Sequence, residues 1–331
     1  MRTLPRGFPI GRCLGLIALG TITLTGASAQ EAASNYPTRA IHIVVGFTPG
    51  GGNDIIARVI GQKLSESLGQ PVIVENKPGA GAIVATEHVA KAAPDGYTLL
   101  VGASGAMAIN PAVYAKLSYD PIRDFVPVSE LGSFPLILVV NASSPIKSVA
   151  ELVAYTKANP NKSNYSSSSA AFQLVTELFK QKTGAPMEVV PYKGANDSVM
   201  AVISGQVTAT IADAGPLAGQ VHGGQVRALA VAAPQRMEDL PDVPTMKEAG
   251  ADVDAVLWSG IFVPKGTPPG IVKKLEAEFM RIARLPDVIA RLKPLGIESI
   301  GNSSEDFAKI LAADIVRWTE VAKAGNIKME Q

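Results

Sequence analysis

The chain has 331 residues, 47% hydrophobic and 18% charged, which suits one large or two ordinary folded domains and excludes a disordered chain. Lysine and arginine number 30 against 29 acids, a formal charge of +1, so no basic excess exists to neutralise nucleic-acid phosphates. One cysteine excludes a disulfide framework, and 5% aromatic residues argue against a site of stacked rings.

The first segment reads as a secretory signal peptide. Arg2, Arg6 and Arg12 precede an apolar run from Cys13 to Leu24, and Gly26-Ala27-Ser28-Ala29 supplies small residues for cleavage. The run is too short to span a membrane, which takes about 20 apolar residues. An uncleaved amphipathic anchor is the alternative. Cleavage after Ala29 would remove 29 of 331 residues and leave 302. Three basic residues, no acid and the only cysteine would go with it, for a mature charge of −2.

Strand-like and helix-like segments then alternate. Ile41–Val45, Val72–Glu75 and Thr98–Val101 are short β-branched or apolar runs, as in strands buried on both faces. Between them Ile55, Ile56, Val59, Ile60, Leu64 and Leu68 repeat at helical spacing up to a Gly69 cap. A second block repeats the pattern. Leu136–Val140, Val189–Tyr192, Thr208–Ala212 and Ala228–Ala232 read as strands. Helices are expected from the Ser148 capping box to Asn159, over Phe172–Gln181 and over Asp197–Ile203. The stretch from Pro268 to Ala324 reads as mostly helical, broken at Pro286 and Pro294. The alternation predicts an α/β fold with mainly parallel sheets flanked by helices. Crossings at 125–135 and 256–264 divide the chain into residues 30–130 with 256–331 as one lobe and 131–255 as the other.

Three loops follow strand ends, where open α/β sheets bind ligands. Phe47-Thr48-Pro49-Gly50-Gly51-Gly52-Asn53-Asp54 joins the first strand to the first helix. Its free amides and the helix dipole suit a carboxylate or phosphate. It is neither a dinucleotide fingerprint, since Ile55 replaces the third glycine, nor a P-loop. A plain tight turn capped by Asn53 or Asp54 is the other reading. Ser104-Gly105-Ala106 follows the third strand. The run Ser166-Ser167-Ser168-Ser169-Ala170 precedes a helix, although on composition alone it could be a linker. Asp213 ends a strand, where it is a ligand contact or a solvated loop acid.

Catalytic and metal signals are sparse. His42, His88 and His222 show no metal-ligand spacing, so neither metal nor cofactor is expected. Ser104, Asp213 and His222 stand in the order of an α/β-hydrolase triad, but Gly102-Ala103-Ser104-Gly105-Ala106 lacks the last glycine of the nucleophile elbow. His42 is expected to pack in its strand, His88 to sit on a helix surface, and Trp258 and Trp318 to pack in the core.

Several motifs in order resemble one family. Tyr36-Pro37-Thr38-Arg39-Ala40-Ile41, the Gly50–Asp54 loop with Ala57-Arg58, and Val74-Glu75-Asn76-Lys77-Pro78-Gly79-Ala80-Gly81 are followed by Pro94-Asp95-Gly96-Tyr97-Thr98-Leu99. Val190-Pro191-Tyr192-Lys193-Gly194, Leu240-Pro241-Asp242-Val243-Pro244-Thr245, Glu248-Ala249-Gly250 and Trp258-x-Gly260 come after them. Together they resemble the Bug-type solute-binding proteins of the tripartite tricarboxylate transporter family. The resemblance implies a two-lobed, type II-like periplasmic binding protein fold with a ligand cleft between lobes. It implies a non-enzymatic, monomeric periplasmic receptor that delivers a small organic acid to the membrane subunits of a carrier. A ligand-presenting sensor would use the same cleft. The family's ligand loops map onto Phe47–Asp54, Ser104–Ala106, Ser166–Ala170 and Asp213. Here the second-lobe loop has fewer glycines and no histidine, and Phe172 next to it suggests a bulkier or less charged distal ligand group.

Overall fold

The computed structural model describes residues 35–192 and 194–329, with only the backbone of Pro216. The signal-peptide reading therefore lies outside the described residues. No helix among them is long and apolar enough to cross a membrane.

The chain builds two sheets. The first half of the order is β1 (Ile41–Val45), α1 (Gly52–Leu68), β2 (Val72–Asn76), α2 (Ile83–Ala90), β3 (Thr98–Ala103), a π-helical turn (Gly105–Ile109), α3 (Asn110–Val113) and β4 (Phe125–Phe134). Next come β5 (Leu136–Asn141), α4 (Val149–Ala158), β6 (Asn164–Ser167), α5 (Ala170–Thr183), β7 (Glu188–Pro191), α6 (Ala195–Ile203), β8 (Ala209–Asp213), α7 (Ala214–His222) and β9 (Val226–Ala232). The chain ends in β10 (Leu257–Pro264), α8 (Pro269–Ala283), α9 (Pro286–Leu292), β11 (Glu298–Ser299) and α10 (Ser304–Ala324).

The first sheet has the order β11-β4-β10-β3-β1-β2 and the second β7-β6-β8-β5-β9. In the first, β1 to β4 share one direction and β10 and β11 run against them. In the second, only β5 is reversed. The mainly parallel expectation holds for direction, while both sheets are mixed. The reversed strands β5 and β10 are the first strands the chain forms after each passage between sheets.

Those passages lie at Pro135, between β4 and β5, and between β9 and β10. The division drawn at residue 130 falls inside β4, which continues to Phe134 and pairs Phe134 with Leu257 of β10. The polar residues Ser129, Glu130 and Ser133 obscure this strand in the sequence, yet all three are buried. The polar stretch 164–167 likewise forms strand β6, with Tyr165, Ser166 and Ser167 buried.

Local chemistry explains the elements that frame the interlobe region. Helix α1 buries Ile56, Val59, Ile60 and Leu64 and ends where Gly69 takes a left-handed φ of 66°. Ser148 caps α4 by accepting the Glu151 amide proton at 3.2 Å, as the capping box predicts. One apolar cluster joins the lobes. It contains Met107 of the π turn, Phe172 of α5, Trp258 of β10 and Trp318 of α10. Across the same flank, Gln181 Nε2 of α5 donates to the Val321 carbonyl of α10 at 3.0 Å.

Candidate ligand cleft between the lobes

The glycine loop is held from beneath. Asp54 is buried, and its carboxylate accepts the Gly50 amide proton at 2.9 Å, Arg58 Nε at 3.0 Å and Asn76 Nδ2 at 2.9 Å. Asn76 Nδ2 also donates to the Phe47 carbonyl at 3.0 Å. Burial raises the Asp54 pKa, but the bonds from Arg58, Gly50 and Asn76 outweigh it and hold the carboxyl below its usual range. Asp54 thus does not cap the helix with its side chain; it fastens the loop, and Arg58 is bound to it.

What the loop presents outward is hydrogen-bond donors. Gly51 occupies the N-cap position of α1 in extended conformation, and no side chain caps the helix. The first amides of a helix have no intrahelical acceptor, so those at Gly52 and Asn53 remain available. Ser259 of β10 is fully buried and donates its hydroxyl proton to Asn53 Oδ1. That bond turns Asn53 Nδ2, a donor, away from the contact. Thr48, Gly50 and Gly51 are exposed, and Phe47, Gly52 and Asn53 half-buried. Gly50 needs glycine for its φ of 87°.

The second loop is mostly interior. Ser104 is buried, and its Oγ accepts the Trp258 amide proton at 3.2 Å. Ala106 is buried too, its carbonyl accepting the Tyr119 hydroxyl at 2.6 Å. Only Gly105 is partly exposed. π-helical turns are rare and recur at functional sites. A Cβ on Gly105 would lie 4.0 Å from Ala171 Cβ, so this turn faces the first turn of α5 across the lobes.

The serine run divides. Ser167 is buried and donates to the Ser169 carbonyl at 3.0 Å. Ser169 is exposed and caps α5 through the Phe172 amide at 3.4 Å. Ser168 and Ala170 are half-buried. The expectation that Phe172 shapes the ligand's distal end meets a correction: its side chain belongs to the apolar core, because α5 turns that residue inward.

Asp213 ends β8 and is half-buried. Among the described residues no group donates to its carboxylate, and burial pushes it up to about 6. It lies opposite Leu136, and the next amide, of Ala214, donates to the Pro135 carbonyl at 2.9 Å. On the other side of that passage, a Cβ on Gly52 would meet Phe134 Cε1 at 2.8 Å. The glycine loop and Asp213 therefore flank the same passage, while Gly105 faces α5.

No triad forms. Ser104 Oγ is occupied by the Trp258 amide. Asp213 is the N-cap residue of α7 and His222 its last residue, about 13 Å apart along the axis. His222 is exposed, with Nε2 on the Asp239 carbonyl at 3.2 Å. His42 pairs with Glu75 at 2.5 Å and His88 is exposed, while both tryptophans are buried. Among the described residues no cluster of His, Cys, Asp or Glu is arranged to hold a metal.

Ser259 and Asn76 are the site-shaping residues that sequence reasoning missed. Asn76 sits in the family motif after β2. Ser259 has no local signal, because it reaches Asn53 across 206 positions.

Comparison with known proteins agrees with this architecture. The profile described as "Tripartite tricarboxylate transporter family receptor" matches residues 56–327. Protein BugT of Bordetella pertussis is 34% identical over 323 residues, covering 96% of this chain and 99% of BugT. A solved structure described as a periplasmic transporter is 38% identical with a TM-score of 0.79, covering 89% of this chain and 100% of that one. Rpa4515 of R. palustris, solved with adipate, is 35% identical with a TM-score of 0.79, covering 88% of this chain and 99% of that one. The chain belongs to the tripartite tricarboxylate transporter receptor family, with the Bug-type solute-binding proteins among its relatives.

Proposed function

We propose that this protein is a periplasmic receptor that captures a small organic carboxylate between its lobes and delivers it to the membrane subunits of a tripartite carrier. The observation that carries the reading is the start of α1. Its amides have no side-chain cap, and Asn53 Nδ2 is turned outward by Ser259. A carboxylate seated there gains several charge-assisted hydrogen bonds without arginine, and lobe closure strengthens them by excluding water. The adipate in the R. palustris relative supports the ligand class. The family role supports the carrier.

In this reading Phe47, Thr48, Gly50, Gly51, Gly52 and Asn53 form the anion side, with Gly105 beside it. Ser168, Ser169, Ala170 and Asp213 form the opposing side. Asp54, Ser104, Ala106 and Ser167 support these loops from within. The protein works as a monomer, and residues 1–29 are a signal peptide removed after Ala29. The first lobe comprises 30–134 with 256–331, the second 136–255. Titration calorimetry with a panel of small carboxylic acids tests the reading. At least one should bind, and Asn53→Ala should weaken it about tenfold, near 1.4 kcal/mol. Equal affinity in Asn53→Ala would remove the anion side from this loop.

A further inference from the structure

We propose that Asp213 selects ligands with a carboxylate at one end and a hydrogen-bond donor, ammonium or hydroxyl, at the other, over acids with two carboxylates. The inference rests on the carboxylate-receptor reading and narrows its substrate class.

The two sides of the cleft differ in hydrogen-bonding sense. The first side offers donors, the amides at the start of α1 and Asn53 Nδ2. Asp213 offers an ionised carboxylate, which only accepts. Among the described residues no donor meets it, although its neighbour Ala214 is tied to Pro135. Its side chain lies on the sheet face of Ile211, two residues earlier, which is the face covered by α5. Strands β6 and β8 are parallel neighbours, so Ser167–Ala170 and Asp213 emerge at the same sheet end.

Among the described residues no cation acts on Asp213 to reverse the preference. Arg58, near the glycine loop, is bound to Asp54 and to Asn76 Oδ1 at 3.0 Å. Among the described residues no serine hydroxyl donates to Asp213 either: Ser167 gives its proton to the Ser169 carbonyl, and Ser169 Oγ accepts the Phe172 amide proton. A second ligand carboxylate would face Asp213 with like charge in a partly desolvated setting. An ammonium or hydroxyl would supply the donor Asp213 lacks. Sites built around one unpaired polar group discriminate strongly against ligands that leave it unpaired.

Calorimetry with chain-matched ligands tests this. Adipate is compared with hexanoates bearing a terminal amino or hydroxyl group, and succinate with the corresponding butyrates, near neutral pH. Within a matched set the amino or hydroxyl acid should bind at least about tenfold tighter than the diacid, and Asp213→Asn should erase or reverse that order. Diacids binding as tightly as their donor-ended partners, or an order unchanged in Asp213→Asn, would overturn the selectivity while leaving the carboxylate reading intact. Binding of none of the six would overturn both. Circular dichroism of Asp213→Asn confirms that the variant folds.

Discussion

The carboxylate of Asp54 accepts the amide proton of Gly50 at 2.9 Å, so the helix that opens the anion loop also fixes the loop's shape. Asp54→Ala would strand three donors: the Gly50 amide, Arg58 and Asn76. Losing a buried, paired carboxylate costs about 3 kcal/mol. Chemical denaturation should show that loss for Asp54→Ala. Arg58→Ala should lose much less, because Arg58 is exposed and Asp54 keeps its bonds from Gly50 and Asn76.

Gly51 and Gly52 should respond oppositely to a methyl group. A Cβ on Gly51 meets nothing closer than the Thr48 carbonyl at 3.7 Å, and its φ of −78° suits any residue. Gly51→Ala should keep the melting temperature and weaken ligand binding, since the methyl enters the space where the anion approaches. On Gly52 the methyl meets Phe134 Cε1 at 2.8 Å. Gly52→Ala should destabilise by about 1–3 kcal/mol through overpacking. Paired melting and titration experiments separate the two effects.

These loops also show what the sequence makes legible. The Gly50–Asn53 run between an apolar strand and an amphipathic helix is a local signal that marks the loop-to-helix junction, whereas the choice between a capped and an uncapped helix start is settled only in the fold, where no side chain caps it. The direction of Asp54 and Ser104 is not legible. A polar residue at a helix start serves a ligand or a neighbouring loop equally well by spacing, and here both turn inward. Strand β4 escapes its full length because Ser129, Glu130 and Ser133 are polar but paired with distant partners. Ser129 Oγ donates to the Asn302 carbonyl at 2.7 Å, and Asn302 Nδ2 to Glu130 at 2.9 Å. Bonds spanning more than 170 residues leave no trace in local pattern.

Gly215 and Gly296 meet across the lobes. A Cβ on Gly215 would lie 2.1 Å from the Leu295 carbonyl, and Gly296 has a left-handed φ of 68°. Beside them Lys293 pairs with Glu238 at 2.5 Å. Gly215→Ala should push the lobes apart here. Small-angle scattering without ligand should give a larger radius of gyration than wild type, and affinity should fall. Lys293→Ala should change little, since that pair is exposed.

Glu130, Asp213 and Asp314, all raised by desolvation, shape the pH response above the usual carboxylate range. Burial pushes Glu130 up to about 7, with Asn302 opposing and Asp314 and Glu298 reinforcing the rise, and burial alone pushes Asp213 up to about 6. Both bind a proton more readily folded than unfolded, so stability should fall as pH rises from about 4.5 to 7. Glu130→Gln keeps the shape and an acceptor for Asn302. It should flatten this slope and stabilise at pH 8 by on the order of 3 kcal/mol. Melting temperatures of both proteins across this range check it.

The proposed receptor holds its carboxylate on helix-start amides while Arg58 stays bound to Asp54. Thermal melting with a panel of small organic acids and their neutral amides tests it most directly. An acid at a hundredfold its dissociation constant should add about 2.7 kcal/mol of stability, and its amide should add far less. Equal stabilisation by acid and amide, or none from any acid, would contradict the account.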